Sequence, residues 1–262
     1  MYDLAALDAG LAGTIFAGKL HFFPATGSTN ADALDAARAG APHGSVYFAD
    51  EQTAGRGRGN HSWLSAAGEG LYASVLLRPR LPAALLPLLP LAAGLAAAEA
   101  ARGVSDLRVD LRWPNDLLIG GLRKTGGILV EAHTEASSVS YAVVGIGINV
   151  HQRAFPPDLN TPATSLDMEA GRRISRQPLL AALLKSLERE TVALLDPAAG
   201  ARITSRIEQA STWVRGRTVE VHGPQACTGV TEGLDENGFL LVRTASGVVT
   251  VRTGGIRAIE SA

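Results

Sequence analysis

From Leu81 to Ala98 the chain runs eighteen residues without a charge. Such a segment must either cross a membrane or lie buried in a core that the rest of the chain encloses. Pro82, Pro87, Pro90 and Gly94 interrupt it, and much of its apolar content is alanine. That is poor material for a span of about 20 strongly apolar residues. The segment therefore predicts a buried helix entered through prolines, tolerated where the first N–H groups lack a helical partner anyway. A core able to enclose it is available, since 46% of the 262 residues are hydrophobic and 19% are charged. The length suits one large domain, or one with a small appendage.

Lys and Arg total 24 against 25 Asp and Glu, a net charge of −1, which excludes a polycationic nucleic-acid binder as the default. The single cysteine, Cys227, excludes an intramolecular disulfide and a multi-cysteine zinc site. The first twenty residues lack a basic stretch followed by an apolar run, so no secretory leader is expected. The chain reads as a cytoplasmic globular protein with no membrane partner. His21, His43, His61, His133, His151 and His222 show no ligand spacing of the His-Glu-x-x-His kind, so no resident metal site is assigned.

Ser28 is placed to cap a helix over Ala31 to Ala39, with Gly40 as its stop. Ser45 to Ala49 predicts a strand, and Leu71 to Leu77 a strand with one buried face. Leu107, Val109, Leu111 and Trp113 alternate with Arg108, Asp110 and Arg112, a cleaner period of two. Gly120-Gly121 reads as a hairpin turn before the apolar Ile128 to Val130, and Val139 to Val150 as a further buried strand. Ser175 and Pro178 open a helix carrying Leu179, Leu180, Leu183, Leu184 and Leu187. Segment 202–217 reads as a solvated helix face and linker, with Trp213 packed at a junction. Beyond it, strands are expected near 217–222, 226–234, 238–243 and 248–252, joined by Asn237-Gly238 and Ser246-Gly247. Five arginines balance five acidic residues across 214–262. That tail suits a small β-barrel better than a basic binding module.

Three segments could carry chemistry. Glu51-Gln52-Thr53-Ala54-Gly55-Arg56-Gly57-Arg58-Gly59 alternates glycine with arginine directly after a predicted strand. Glycines let amides approach a ligand closely, and arginine forks hold carboxylate or phosphate. On composition alone it is equally a flexible basic loop. Asn60, where a dinucleotide fingerprint needs glycine, excludes that motif. Arg112-Trp113-Pro114-Asn115-Asp116 is followed by Arg123-Lys124-Thr125-Gly126-Gly127-Ile128-Leu129-Val130-Glu131. This is either a turn and a solvated lysine, or a lysine and carboxylate at the end of a sheet facing a nucleotide. Arg123 ahead of Lys124-Thr125 rules out a Walker loop. Gly145-Ile146-Gly147-Ile148-Asn149 reads as a buried strand whose glycines admit another backbone, with Asn149 free to read a base edge or to cap a turn.

In their order, Thr26-Gly27-Ser28-Thr29-Asn30, the Gly-Arg loop, Trp113-Pro114-Asn115-Asp116, Lys124-x-Gly-Gly-Ile-Leu and Gly145-Ile-Gly-Ile-Asn149 closely resemble the biotin protein ligases. The resemblance spans 20–262, and it implies an α+β fold. That fold is a mixed sheet with flanking helices similar to class II aminoacyl-tRNA synthetases (1–213), followed by an SH3-like barrel (214–262). It implies activation of biotin by ATP to biotinyl-5′-AMP, with Mg2+ and release of pyrophosphate. Transfer to a lysine of a biotin carboxyl carrier domain would follow.

Position by position, the resemblance implies biotin contacts from Ser28, Thr29, Asn30, Gln52, Gly55 and Gly127. Arg56, Gly57 and Arg58 would form a loop closing on biotin and the adenylate, with Trp63 as an apolar wall. Lys124 would bridge the biotin carboxylate and the α-phosphate, and act in catalysis with Arg56 and Arg58. Asn115, Asp116 and Asn149 would line the nucleotide side.

The chain departs from the commoner pattern at Gly59-Asn60-His61-Ser62, which carries fewer charges, and at Thr253-Gly254-Gly255, where relatives often have an acidic residue. About twenty-five residues precede Thr26, too few for a winged-helix module of roughly 60 residues, so no DNA partner is expected. A homodimer stays open. The rivals are a lipoate or octanoate ligase and a noncatalytic biotin-binding protein.

Overall fold

The computed structural model describes residues 2–59, 61–196 and 198–259. The uncharged segment becomes a 3₁₀ turn over Ala83–Leu88 that runs into a helix over Leu89–Ser105, with Pro90 in its first turn. Ala92, Ala93, Ala96, Ala97, Ala100 and Ala101 of this helix are buried. Their small side chains let it lie close against its neighbours, so the alanine content suits a crowded core.

Around it the chain runs α1 (Leu4–Gly10), β1 (Leu20–Phe23), α2 (Thr29–Arg38), β2 (Ser45–Ala49) and β3 (Gly70–Leu77). The long helix is α3, followed by β4 (Val109–Arg112), β5 (Asp116–Ile119), β6 (Arg123–Glu135) and β7 (Ser138–Asn149). Then come α4 (Leu166–Ala170), α5 (Arg176–Ala193) and α6 (Ala199–Ala210). The last five are β8 (Arg215–His222), β9 (Cys227–Leu234), β10 (Leu240–Thr244), β11 (Gly247–Val251) and β12 (Gly255–Ala258).

Seven strands in the order β1-β2-β3-β7-β6-β5-β4 form a mixed sheet, parallel between β1 and β2 and antiparallel elsewhere. Five more, β11-β10-β9-β8-β12, form a separate antiparallel sheet. Helix α2 covers one side of the large sheet at β2, β3 and β7, while α3 and α5 pack on the other. For that reason β3 is buried along all eight residues and not on one face only, as its alternation suggests.

The period of two near Val109 has a different meaning from core against solvent. All four residues of β4 are buried. Asp110 is satisfied by the Thr212 hydroxyl at 2.6 Å and the Thr212 N–H at 2.9 Å, as a buried carboxylate requires. Asp116, read with Pro114 and Asn115 as a turn, opens strand β5 (Asp116–Ile119), and the Gly120-Gly121 hairpin joins it to a β6 that begins at Arg123. Strand β12 carries no period-two signal of its own, being four residues long, and pairs with β8. Helix α6 is no mere solvated face, since it buries Ile203, Thr204 and Ile207. Its Arg206 forks onto the buried Glu190 at 2.6 and 2.7 Å.

The two sheets meet through tryptophans. Trp113 Nε1 donates to the Gly238 carbonyl at 3.0 Å, and Trp213 Nε1 donates to the Gly121 carbonyl at 2.9 Å. The Trp213 indole lies near the guanidinium groups of Arg112 and Arg217, at 5.2 and 4.0 Å from its ring.

Candidate functional site

One rank of cross-strand partners runs over the large sheet: Arg112 on β4, Asp116 on β5, Gly127 on β6, Gly147 on β7 and Tyr72 on β3. Directly opposed residues share a face of a sheet, so these five look into the same space. The next rank on that face is Leu129, Gly145 and Ser74. Above both ranks opens a cleft of about 1090 Å³.

The glycines make that space. A Cβ on Gly147 would lie 2.6 Å from Trp63 Nε1, and one on Gly145 would collide with Asn30 Oδ1. The sequence reading expects another backbone to pass these glycines. Two side chains occupy the place instead, one apolar and one polar.

At the Gly145 end lies a continuous hydrogen-bonded network. The Thr29 N–H donates to Gln52 Oε1 at 2.9 Å, and the Thr29 hydroxyl lies 3.1 Å from that oxygen and 2.8 Å from Ser74 Oγ. The Ser74 hydroxyl donates to Asn30 Oδ1 at 2.6 Å, and Asn30 Nδ2 donates to Glu131 Oε2 at 2.9 Å. Gln52 Nε2 donates to Ser65 Oγ at 2.8 Å. Ser28 stands at the N-cap of α2, buried, with no capping bond from its side chain. The helix starts at Thr29, two residues before Ala31, which draws Thr29 and Asn30 into its first turn and over the cleft.

At the Gly127 end lies a cation. Lys124 is three residues before Gly127, and an unbroken strand would turn the two to opposite faces. The β5–β6 register shifts by one residue between Leu117 and Leu118, leaving Thr125 unpaired and buried. That bulge returns Lys124 to the cleft face. Its Nζ lies 2.5 Å from Asp116 Oδ1 and 5.5 Å from the centre of the Trp63 ring.

Arg112 holds the second oxygen of Asp116, with Nε at 3.1 Å and Nη2 at 2.6 Å, and also reaches Thr161 Oγ1 at 3.0 Å. Burial pushes the Asp116 carboxyl up. The charges and hydrogen bonds of Lys124 and Arg112 together outweigh it and hold the group below the usual carboxylate range.

The glycine–arginine loop folds back on itself. Gly57 N–H donates to the His61 carbonyl at 2.8 Å, and Trp63 N–H to the Gly55 carbonyl at 2.9 Å. Gly55 is required by a close approach, since a Cβ there would strike the Trp63 carbonyl. Arg56 reaches Glu131 Oε1 at 3.0 Å. Arg58 donates to the Gly254 carbonyl and, at 2.8 Å, to Thr253 Oγ1. The loop is thus tied at both arginines, to β6 and to the turn before β12. Asn60, part of the departure noted in this loop, lies outside the described residues.

Other expected residues line the cleft in a different capacity. Asn115 straps β5 to β6, its Nδ2 on the Ile128 carbonyl at 2.7 Å and its carbonyl on the Ile128 N–H at 2.9 Å. Asn149 is buried, with Nδ2 on the Thr164 carbonyl at 3.1 Å. Asp116 serves Lys124 and Arg112. The sequence reading missed Ser74, Glu131, Arg112 and Thr253 as parts of the site. A serine and a glutamate inside otherwise apolar strand runs were the available signal for the first two.

Among the described residues no three His, Cys, Asp or Glu side chains gather to hold a metal ion. Of the two carboxylates that line the cleft, Asp116 is engaged by Lys124 and Arg112, and neither it nor Glu69 belongs to a cluster of three candidate ligands among the described residues. This donor set does not fit a resident Mg2+, and no step below is routed through one.

Residues 22–149 match the model of the biotin/lipoate A/B protein ligase family. The bifunctional ligase/repressor BirA of Bacillus subtilis is 33% identical over 259 residues, covering 94% of this chain and 76% of that protein. The biotin--[acetyl-CoA-carboxylase] ligase of Mycobacterium tuberculosis is 33% identical over 238 residues, covering 88% and 85%. Among solved structures, the biotin protein ligase of Aquifex aeolicus in complex with biotin and ATP superposes with a TM-score of 0.79. It is 30% identical and covers 93% of this chain and 100% of that one.

Proposed function

Because the chain belongs to the biotin/lipoate A/B protein ligase family, we infer that it is an ATP-dependent biotin–protein ligase. It joins biotin to ATP as biotinyl-5′-AMP and passes the acyl group to a lysine of a biotin carboxyl carrier domain. The observation that carries the reading is the order of groups along the sheet. The Lys124 ammonium comes first, then the Trp63 indole over Gly147, then the Thr29–Asn30–Gln52 network over Gly145. Gly147 and Gly145 are two residues apart, or about 7 Å along a strand. Biotin has the same order: a carboxylate, an apolar chain and ring, and a cyclic urea needing both donors and acceptors.

In the first half-reaction a biotin carboxylate oxygen attacks the α-phosphorus, and the bond to the β-phosphate oxygen breaks to release pyrophosphate. Two anions must meet, and Lys124 is the fixed point charge that lowers their repulsion and stabilises charge gathering on the α-phosphate. Arg56 and Arg58 supply forks from the loop. In the second, an acceptor amine attacks the acyl carbon, loses a proton, and AMP departs.

Magnesium enters with the nucleotide's own phosphates as MgATP. The antiparallel sheet from 214 onwards is proposed as the SH3-like unit. Its Thr253–Gly254 turn receives Arg58, which supports a part for that unit in seating the loop.

Pyrophosphate exchange on the purified protein tests the assignment. Exchange with biotin and none with octanoate is expected. Exchange with octanoate instead would move the chain to the lipoate-type ligases, and biotin binding without exchange would make it a passive binder.

A further inference from the structure

We infer that Glu131 is a positioning residue for the urea end of the site, acting through Asn30 and Ser74; this rests on the biotin reading above. A carboxylate is an unexpected presence beside a cleft that takes a carboxylate and a triphosphate, because like charges at short range repel. It is retained here beside two partners. Oε1 pairs with Arg56 at 3.0 Å, which balances its charge, and Oε2 accepts from Asn30 at 2.9 Å.

The second contact sets the polarity of the network. A carboxylate can only accept, so the Asn30 NH2 must face it and the Asn30 carbonyl must face Ser74. Ser74 has one proton, spent on that carbonyl at 2.6 Å, so its oxygen can only accept, and the single Thr29 hydroxyl proton is shared between Ser74 Oγ at 2.8 Å and Gln52 Oε1 at 3.1 Å. Thr29, Asn30 and Ser74 are all at least 95% buried, so water cannot scramble the order. Without the charge, the Asn30 amide could turn over and reverse every donor and acceptor up to Thr29. A site reading a urea group by donors and acceptors would then present the wrong pattern for part of the time.

The variants Glu131→Ala, Glu131→Gln and Ser74→Ala separate this role from packing. Steady-state adenylation with biotin and ATP varied independently should give a biotin KM raised about 10-fold in Glu131→Ala and Ser74→Ala, about the worth of one hydrogen bond. The ATP KM should stay within about twofold. Glu131→Gln keeps the shape but is neutral and can donate as well as accept, so the Asn30 amide is free to turn over and the biotin KM should stay raised at least about threefold over the parent.

The double variant should be no worse than either single one, because both break a single chain of bonds. Equal rises in the biotin and ATP constants, a biotin KM unmoved in Ser74→Ala, or full rescue by glutamine would each overturn the inference. The Asn30 side-chain amide protons, followed by 15N NMR, read the restraint in the free protein whatever acid the enzyme uses. Unchanged signals in Glu131→Ala would also overturn it. Failure of the parent chain to exchange pyrophosphate with biotin would instead count against the functional reading.

Discussion

Lys124 and Asp116 meet at 2.5 Å only because one residue between Lys124 and Gly126 is left out of the β5–β6 pairing. The ammonium reaches the cleft through a defect in the ladder, and the carboxylate beside it is itself held by Arg112. Two cations on one anion leave the cluster with net positive charge, directed at a space where phosphate is expected.

Replacing Lys124 by alanine should lower biotin-dependent pyrophosphate exchange by about 100-fold or more, the scale seen when a preorganised charge or donor is removed from a transition state. Far-ultraviolet circular dichroism should be unchanged, because Arg112 still pairs with Asp116. Near-parental exchange in this variant would remove Lys124 from its assigned place.

Asp116→Asn leaves two cations without their common partner. At neutral pH it should destabilise the protein by about 3 kcal/mol, the low end for breaking a buried pair because Lys124 is more than a quarter exposed. The folded pKa of Asp116 is depressed, so its contribution to stability is complete above the ordinary carboxylate pKa of about 4. It is lost as pH falls through the lower folded value. Urea melts of parent and variant should therefore differ at pH 7 and converge only as the pH falls below the ordinary carboxylate range. A gap independent of pH would show that Asp116 acts through packing.

Gly147→Ala sets a methyl group 2.6 Å from Trp63 Nε1. The indole must tilt away, at a cost of about 1–3 kcal/mol for an overpacked site. Biotin affinity measured by calorimetry should fall at least tenfold. Ala142, on the same strand with no role in the cleft, is the control position for an equally small change, such as Ala142→Gly.

Thr253→Val removes one of the two groups that hold Arg58. Trypsin should then cut after Arg58 several times faster in the ligand-free protein, and biotin with ATP should restore protection. Equal cleavage in parent and variant would mean that the tie to the second sheet does not restrain the loop.

Much of this arrangement was legible in the sequence. The buried helix behind the prolines, the strand at Ser45 to Ala49, the Gly120-Gly121 hairpin and the tail of short strands follow from composition and period. Gly145 and Gly147 stood out as missing side chains. What could not be seen was what filled the gap, because Trp63 and Asn30 come from distant segments. The bulge at Thr125 was invisible for a related reason: strand period alone puts Lys124 and Gly127 on opposite faces. Asp110 and Arg112 read only as the polar half of a period of two, and partners at residues 161 and 212, far along the chain, pair with them in the fold. Tertiary pairing, carried by residues far apart in the chain, decided each of these.

Arg58 and Thr253 stand 195 residues apart. At a ribosomal rate of 5–20 residues per second, about 10–40 s separate the making of the loop from the making of its resting place. Through that interval the large sheet can assemble and the glycine-lined cleft can exist, with its arginine arm still unmoored. Completion of the site is thus deferred until the turn before β12 has left the ribosome. A nascent chain stalled before residue 253 would hold a pocket whose loop is tied through Arg56 alone.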